Sequence, residues 1–266
     1  MADQGLLAHQ RRAVIMEYVR RDGGVRVAEL VDQLGVSDMT IRRDLDALAR
    51  TGALEKVHGG AVAPAGTAVD EPGFEAKSGL ESAAKTAIAD TAAALVEPGS
   101  VIAISAGTTA YAVASRLLAQ PRLTVVTNSL PVADLLRAAN REQIEGAPTL
   151  LVTGGAPTRS AALVGPLADQ AIRSLHVDLL ILGSHGVSQA GLTTPNLAEA
   201  QTNRALVACA RRVVAVADHT KWGVVGLSSF AGLDELDFFV TDGGLGAEAR
   251  AVLAENVGEL LVAGGQ

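Results

Sequence analysis

Between Gln10 and Arg21 the apolar residues Val14, Ile15, Tyr18 and Val19 recur at helical spacing, and Asp22-Gly23-Gly24 supplies a stop, so the pattern predicts a first helix. Val27, Leu30, Val31 and Leu34 fall at i, i+3, i+4 and i+7, one apolar stripe on a short second helix that Gly35 ends. Ser37 is a good N-cap for a third helix, with Ile41, Leu45 and Leu48 on its inner face and Thr51-Gly52 closing it. A turn of about 100° per residue from Ile41 places Met39 at about 160°, Arg50 at about 180° and Arg43 at about 200°, away from the core. Leu54 to Val62 reads as two short extended pieces around Gly59-Gly60, a wing. Two short helices across a tight glycine turn, then a wing, predict a winged helix-turn-helix over residues 1–63.

Residues 64–79 mix Pro, Gly, Ala and acidic residues without periodicity and read as a linker. From residue 80 to 266 a second domain is expected. A helix from Glu81 to Val96 ends at Glu97-Pro98-Gly99, and short apolar runs then alternate with stretches of helical composition: Val101 to Ser105, Leu123 to Thr127, Thr149 to Thr153, Asp178 to Gly183, Val213 to Ala217 and Phe238 to Thr241. Continuous apolar strands separated by helices predict an open, mostly parallel α/β sheet covered on both faces.

A chain of 266 residues, 48% hydrophobic and 19% charged, buries a sizeable core and has room for two domains. The net charge of −7 is unevenly spread: residues 1–62 hold nine basic and nine acidic residues, so the whole acidic excess lies behind them. That argues against a uniformly basic nucleic-acid coat and leaves a local interface open. Cys209 is the only cysteine, sits beside Leu206 and Val207 and reads as a buried, inert thiol. No apolar secretory stretch opens the chain, so the cytoplasm is the expected compartment. The uncharged runs 98–115 and 179–198 are broken by Gly, Ser, Thr and Pro, which argues against a membrane helix of ~20 apolar residues.

On the third helix, Ser37, Asp38, Thr40 and Arg43 are placed to reach base edges of double-stranded DNA, and Arg42 and Arg50 to reach phosphates. Lys56 and His58 on the wing face the phosphate backbone. The alternative is an ordinary solvated face in which Asp44 and Asp46 balance Arg42 and Arg43.

In open α/β sheets ligands collect at the carboxyl ends of the strands. After the first run, Ser105 and then Gly107, Thr108 and Thr109 offer hydroxyls and free backbone N–H groups at a helix N-terminus, suited to an anion such as phosphate. Further strand ends carry Asn128 and Ser129, Gly154 and Gly155, Ser184, His185 and Gly186, and Asp218 to Lys221, with Lys221 the one cation among these loop residues. Thr194 reads as a helix cap with Pro195 at N1, and Glu199 and Asn203 lie one turn apart, closing the pocket or decorating a helix face. His185 and His219 lack metal-ligand spacing, so neither a metal nor a cofactor is expected.

Thr40-Ile41-Arg42-Arg43-Asp44-Leu45, followed by Val57-His58-Gly59-Gly60-Ala61, resembles the N-terminal signature of the DeoR family of bacterial transcriptional regulators. The resemblance extends through Ala106-Gly107-Thr108-Thr109, Thr127-Asn128-Ser129, Gly154-Gly155, Leu163-Val164-Gly165-Pro166, Gly191 to Asn196 and Asp218 to Lys221. It implies an effector domain similar in fold to ribose-5-phosphate isomerase, used to sense a phosphorylated sugar or related metabolite, in a repressor that leaves its operator when the effector binds. A homodimer or homotetramer is expected, because one small module rarely supplies enough DNA affinity. Two departures stand out: Ser105 replaces the family's usual Asp, and Ser184-His185-Gly186 replaces Ala-Asp-Gly. The missing carboxylates put the usual ligand in question and argue against catalysis. The alternatives are an isomerase-like enzyme, with Asp218 or Glu199 as base, and a ligand-dependent activator.

Overall fold

The computed structural model describes residues 8–22, 24–50, 54–57, 59–62 and 73–264. The chain divides into two compact units, Met1–Gly66 and Thr67–Gln266.

In unit 1, helix α1 (Ala8–Asp22) leads into strand β1 (Gly24–Arg26), helices α2 (Val27–Leu34) and α3 (Asp38–Arg50), and strands β2 (Glu55–Val57) and β3 (Gly60–Val62). Gly35 ends α2 in the left-handed region at φ 64°, its N–H donating to Val31 O at 3.0 Å. Ser37 Oγ accepts from the Thr40 amide at 3.3 Å and so caps α3. The stripes foreseen on the three helices converge: Ile15, Val19, Leu30, Ile41 and Leu45 form one core with Leu54 and Ala61. The strands form an antiparallel sheet in the order β1-β3-β2, so the wing gains a third strand from the segment after α1. Three residues are too few to show a period of two.

Unit 2 opens with α4 (Phe74–Ser78) and α5 (Ser82–Ala93), then β4 (Val101–Ile104), α6 (Thr108–Arg116), β5 (Thr124–Thr127), α7 (Leu130–Arg141), β6 (Thr149–Val152), β7 (Ala156–Pro157), β8 (Leu163–Val164) and α8 (Pro166–Arg173). It continues with β9 (Leu179–Gly183), β10 (Gly186–Ser188), β11 (Gly191–Thr194), α9 (Leu197–Cys209), β12 (Val213–Val216), β13 (Ser228–Ala231), β14 (Phe238–Asp242), α10 (Ala247–Asn256) and β15 (Glu259–Ala263). Seven parallel strands pair in the order β15-β14-β12-β9-β4-β5-β6. Alternate residues of each strand serve opposite faces. Ile102, Ile104, Leu179, Ile181, Val214 and Val216 pack with Ile88, Val113 and Leu136 of α5, α6 and α7. Ala103, Leu180, Leu182, Val213 and Ala215 pack with Ile172, Leu206 and Leu253 of α8, α9 and α10.

Several expectations need correction. The second half of the segment read as a linker contains α4, whose Phe74 ring meets Tyr111 edge-on at 5.5 Å; residues 64–72 lie outside the described set. The helix expected from Thr194 and Pro195 begins at Leu197 instead, capped by Asn196, whose Oδ1 accepts from the Ala198 and Glu199 amides at 2.9 and 3.2 Å. Thr194 belongs to the antiparallel sheet β10-β11-β13, which was not foreseen, nor were β15 and the β7–β8 pair. No helix among the described residues is long and apolar enough to cross a membrane.

Candidate functional site

Unit 1 presents the outer face of α3. Asp44 is not a surface counter-ion for Arg43: it is buried, accepting from Arg11 Nε at 2.5 Å with Arg12 at 3.7 Å, and it ties α3 to α1. The exposed charges pair differently. Arg42 Nε donates to Asp38 at 2.6 Å and Lys56 Nζ to Asp46 at 2.5 Å. Each pairing holds its carboxyl below the usual range, and Asp38 raises Arg42. The Ser37 and Thr40 hydroxyls bond each other at 2.9 Å, and Arg50 Nε donates to Asp46 O at 3.3 Å. Arg43 is exposed and has no hydrogen-bond or ion-pair partner among the described residues. The wing places Lys56 on β2; His58 lies outside the described residues.

In unit 2 the chain runs from β4 out to β6 on one side and returns to β9 on the other side of β4. The carboxyl ends of β4 and β9 therefore flank the topological switch point, where doubly wound sheets leave a crevice. The loops singled out in sequence follow β12, β9, β4, β5 and β6, five consecutive strands in sheet order. Gly107, at φ 132°, precedes α6, and no side chain caps that helix's first amides. Thr108 is half-buried and Thr109 buried. Asn128 donates from Nδ2 to Leu163 O at 3.2 Å, and its buried Oδ1 has no partner among the described residues.

Other candidates are engaged within the protein. Ser105 Oγ accepts the Gly183 amide at 2.9 Å, bridging β4 and β9. Ser129 caps α7. Gly155 and Gly186 are close-approach positions: an added Cβ would stand 2.6 Å from Val164 O and 2.1 Å from Val224 O respectively. Glu199 is buried, its carboxylate accepting from Thr158 and Ser160 at 2.6 and 2.5 Å and from Thr194 at 3.2 Å, so it anchors the β7–β8 pair. Asp218 caps the turn His219–Lys221 through the Thr220 amide and hydroxyl. His185 is half-buried in the loop after β9, and Asn203 is half-buried on α9.

Lys85 and the pairing of His219 with Asp242 escaped sequence reading. Lys85 is buried on α5, its Nζ donating to Lys77 O and Leu80 O at 2.7 and 2.5 Å. Burial pushes its pKa down; Asp218 opposes this, and Lys221 and Lys77 add to it. The signal was present: Lys85 occupies the same stripe as the buried Ile88, Ala89 and Ala92. His219 Nδ1 lies 2.9 Å from Asp242 Oδ2, and Asp242 also accepts the His219 and Gly244 amides. Burial raises the Asp242 pKa, but the two amides and the imidazole outweigh it, leaving the group lowered. No cluster of three or more His, Cys, Asp or Glu suited to a metal occurs among the described residues. Cys209 is buried, and burial pushes its thiol up.

Residues 11–67 match the family model described as a DeoR-like helix-turn-helix domain, and residues 80–243 the DeoR C terminal sensor domain. An HTH-type transcriptional regulator, YgbI, of Escherichia coli (strain K12) is 40% identical over 256 residues, 96% of this chain and 97% of that protein. The HTH-type transcriptional regulator GlpR of Haloferax volcanii is 38% identical over 97% of this chain and 99% of its own length. The glycerol-3-phosphate regulon repressor of Escherichia coli (strain K12) is 33% identical over 88% and 90%. Among solved structures, ribose 5-phosphate isomerase A of Methanocaldococcus jannaschii overlaps 52% of this chain and 53% of its own at TM-score 0.38 and 18% identity.

Proposed function

Because the chain belongs to the DeoR family of transcriptional regulators, we propose that it represses a carbohydrate catabolic operon and leaves its operator when a phosphorylated sugar or related metabolite binds the rim of unit 2. The observation that carries the ligand half is the buried Lys85 ammonium near the loop that follows β12. Lys85 is desolvated and within the field of Lys221 and Lys77, with Asp218 as a nearby carboxylate, in a unit that otherwise holds all of the chain's excess acidity. A desolvated ammonium in the field of a second lysine is stabilised by an added anion. The free amides at the start of α6 supply directional donors for the same anion, and Asn128 Oδ1 supplies an acceptor for a ligand hydroxyl.

The regulatory step is a population shift. Two or more copies hold their α3 helices at half-sites about one DNA turn apart, and the effector favours an arrangement that no longer matches them. The effector must then bind the free and DNA-bound states unequally, with a coupling of about 1–3 kcal/mol. The acidic charge of unit 2 repels DNA and confines contact to unit 1. An isomerase reading is disfavoured: both candidate bases, Glu199 and Asp218, are occupied by internal donors.

Calorimetric titration with pentose, hexose and glycerol phosphates, beside the same compounds without phosphate, tests the ligand half. Binding of a phosphorylated compound that its parent lacks, and that Lys221→Ala weakens at least tenfold, is expected. Equal affinity for ester and parent removes the anion site from the account.

A further inference from the structure

We infer that Met39, on the outer face of α3, reads a thymine by packing its thioether against the base's 5-methyl group in the major groove, beside a guanine contacted by Arg43. The inference rests on the DNA-binding reading of unit 1 and adds to it one residue and the base it selects.

Most polar side chains of α3's outer face and first turn are committed within the protein. Asp46 holds Lys56, Arg50 donates to Asp46 O, Asp38 holds Arg42, and Ser37 and Thr40 bond each other. Met39 and Arg43 stand apart from these pairings. They lie at i and i+4, neighbours on one face directly opposite the buried Ile41. Met39 is 60% exposed, the most exposed large apolar side chain among the described residues of unit 1, while Ile41, Leu45, Leu48 and Ala49 supply the helix's share of the core.

Its surroundings favour a nucleic acid over a protein partner. The core of a protein interface is depleted in charged residues, whereas the neighbours of Met39 along α3 include Asp38, Arg42 and Arg43. The major groove supplies what such a mixed face matches: guanine O6 and N7 accept a bidentate arginine, and the thymine methyl is the apolar feature among polar base edges. Unbranched, polarizable methionine adapts to that methyl without a fixed rotamer.

The test uses full-length protein to enrich duplexes from a random-sequence library at fixed salt. Each thymine of one half-site is then replaced in turn by uracil, which removes only the methyl group. One replacement, close to a guanine that Arg43→Ala no longer discriminates, should weaken wild-type binding about fourfold, the factor expected for burying one methyl group. Met39→Ala should lose the same factor on the thymine duplex and bind thymine and uracil versions alike, and Met39→Leu should keep the distinction. Indifference of the wild type to every uracil, or a methyl effect that persists in Met39→Ala, overturns the inference and leaves the DNA-binding reading standing. Self-association lost in Met39→Ala with DNA affinity unchanged assigns the side chain to a contact between copies and overturns it as well. Failure to enrich any duplex overturns both readings.

Discussion

Ser105 Oγ accepts the Gly183 amide at 2.9 Å, so the residue standing where a carboxylate was expected closes the two strands of the switch point against each other. The Ser105 amide donates in turn to Ile181 O at 2.9 Å.

Ser105→Ala should therefore lower the stability of unit 2 by about 1–3 kcal/mol, the cost of leaving an amide without its acceptor. Denaturant unfolding followed by Trp222, the only tryptophan, reports on this unit. An unchanged midpoint together with a lost effector response would make Ser105 a ligand contact instead.

Asp44 and Arg11 form a buried pair between α3 and α1, and removing one partner of such a pair typically costs about 3–5 kcal/mol. Asp44→Ala is expected to abolish DNA binding through loss of unit 1 while the Trp222 unfolding midpoint stays in place. Retained operator affinity would show that the pair does not hold α3.

Glu199→Ala should cost about 2–3 kcal/mol, because three hydroxyls on β11 and around the β7–β8 pair lose one charged acceptor. Glu199→Gln, which keeps the shape, should cost less and preserve the effector response. Loss of the response in Glu199→Gln, with stability intact, would return this carboxylate to the ligand site.

The lowered Lys85 pKa sets a pH dependence of effector binding. An anion beside the ammonium raises that pKa, so in the interval between the free and bound values binding takes up a proton. Affinity falls as pH rises through this interval and is insensitive to Lys85 below it. Titrations at a series of pH values, each in two buffers of different ionisation enthalpy, should show an interval of proton uptake in the wild type and its loss in Lys85→Met. Uptake that is the same in both places the anion away from Lys85.

What sequence reading captured follows from the strength of each periodic signal. The Val27 to Leu34 stripe and the Ile41 and Leu45 spacing define α2 and α3, because each buries one face against a single core. The apolar runs from Val101, Val213 and Phe238 locate buried strands, since a strand covered on both faces has no polar alternation to mask it, whereas the run from Thr149 is an edge strand with Leu151 and Val152 exposed. The edge strand Glu259–Ala263 escaped because, following α10 after only two residues, its short apolar run does not separate from a helix end. For the rim, loop composition located the right strand ends but not which polar groups are free. Ser105 and Glu199 look like ligand contacts until their partners, drawn from distant segments, are seen, and Ser129 until its hydroxyl is found capping its own helix. Lys85 was hidden for the opposite reason: its neighbours in sequence are small and its charge reads as surface, whereas its position in the stripe of Ile88, Ala89 and Ala92 is interior.

The most direct test of ligand-relieved operator binding is recovery of fragmented genomic DNA by the purified protein at one fixed, near-physiological salt concentration, with and without a pool of sugar phosphates. Salt is held constant because phosphate contacts make affinity steeply salt-dependent. The account predicts enrichment of a few sites with inverted half-sites and its loss when the pool is added. Enrichment that ignores every phosphorylated compound, or that appears only in their presence, contradicts it.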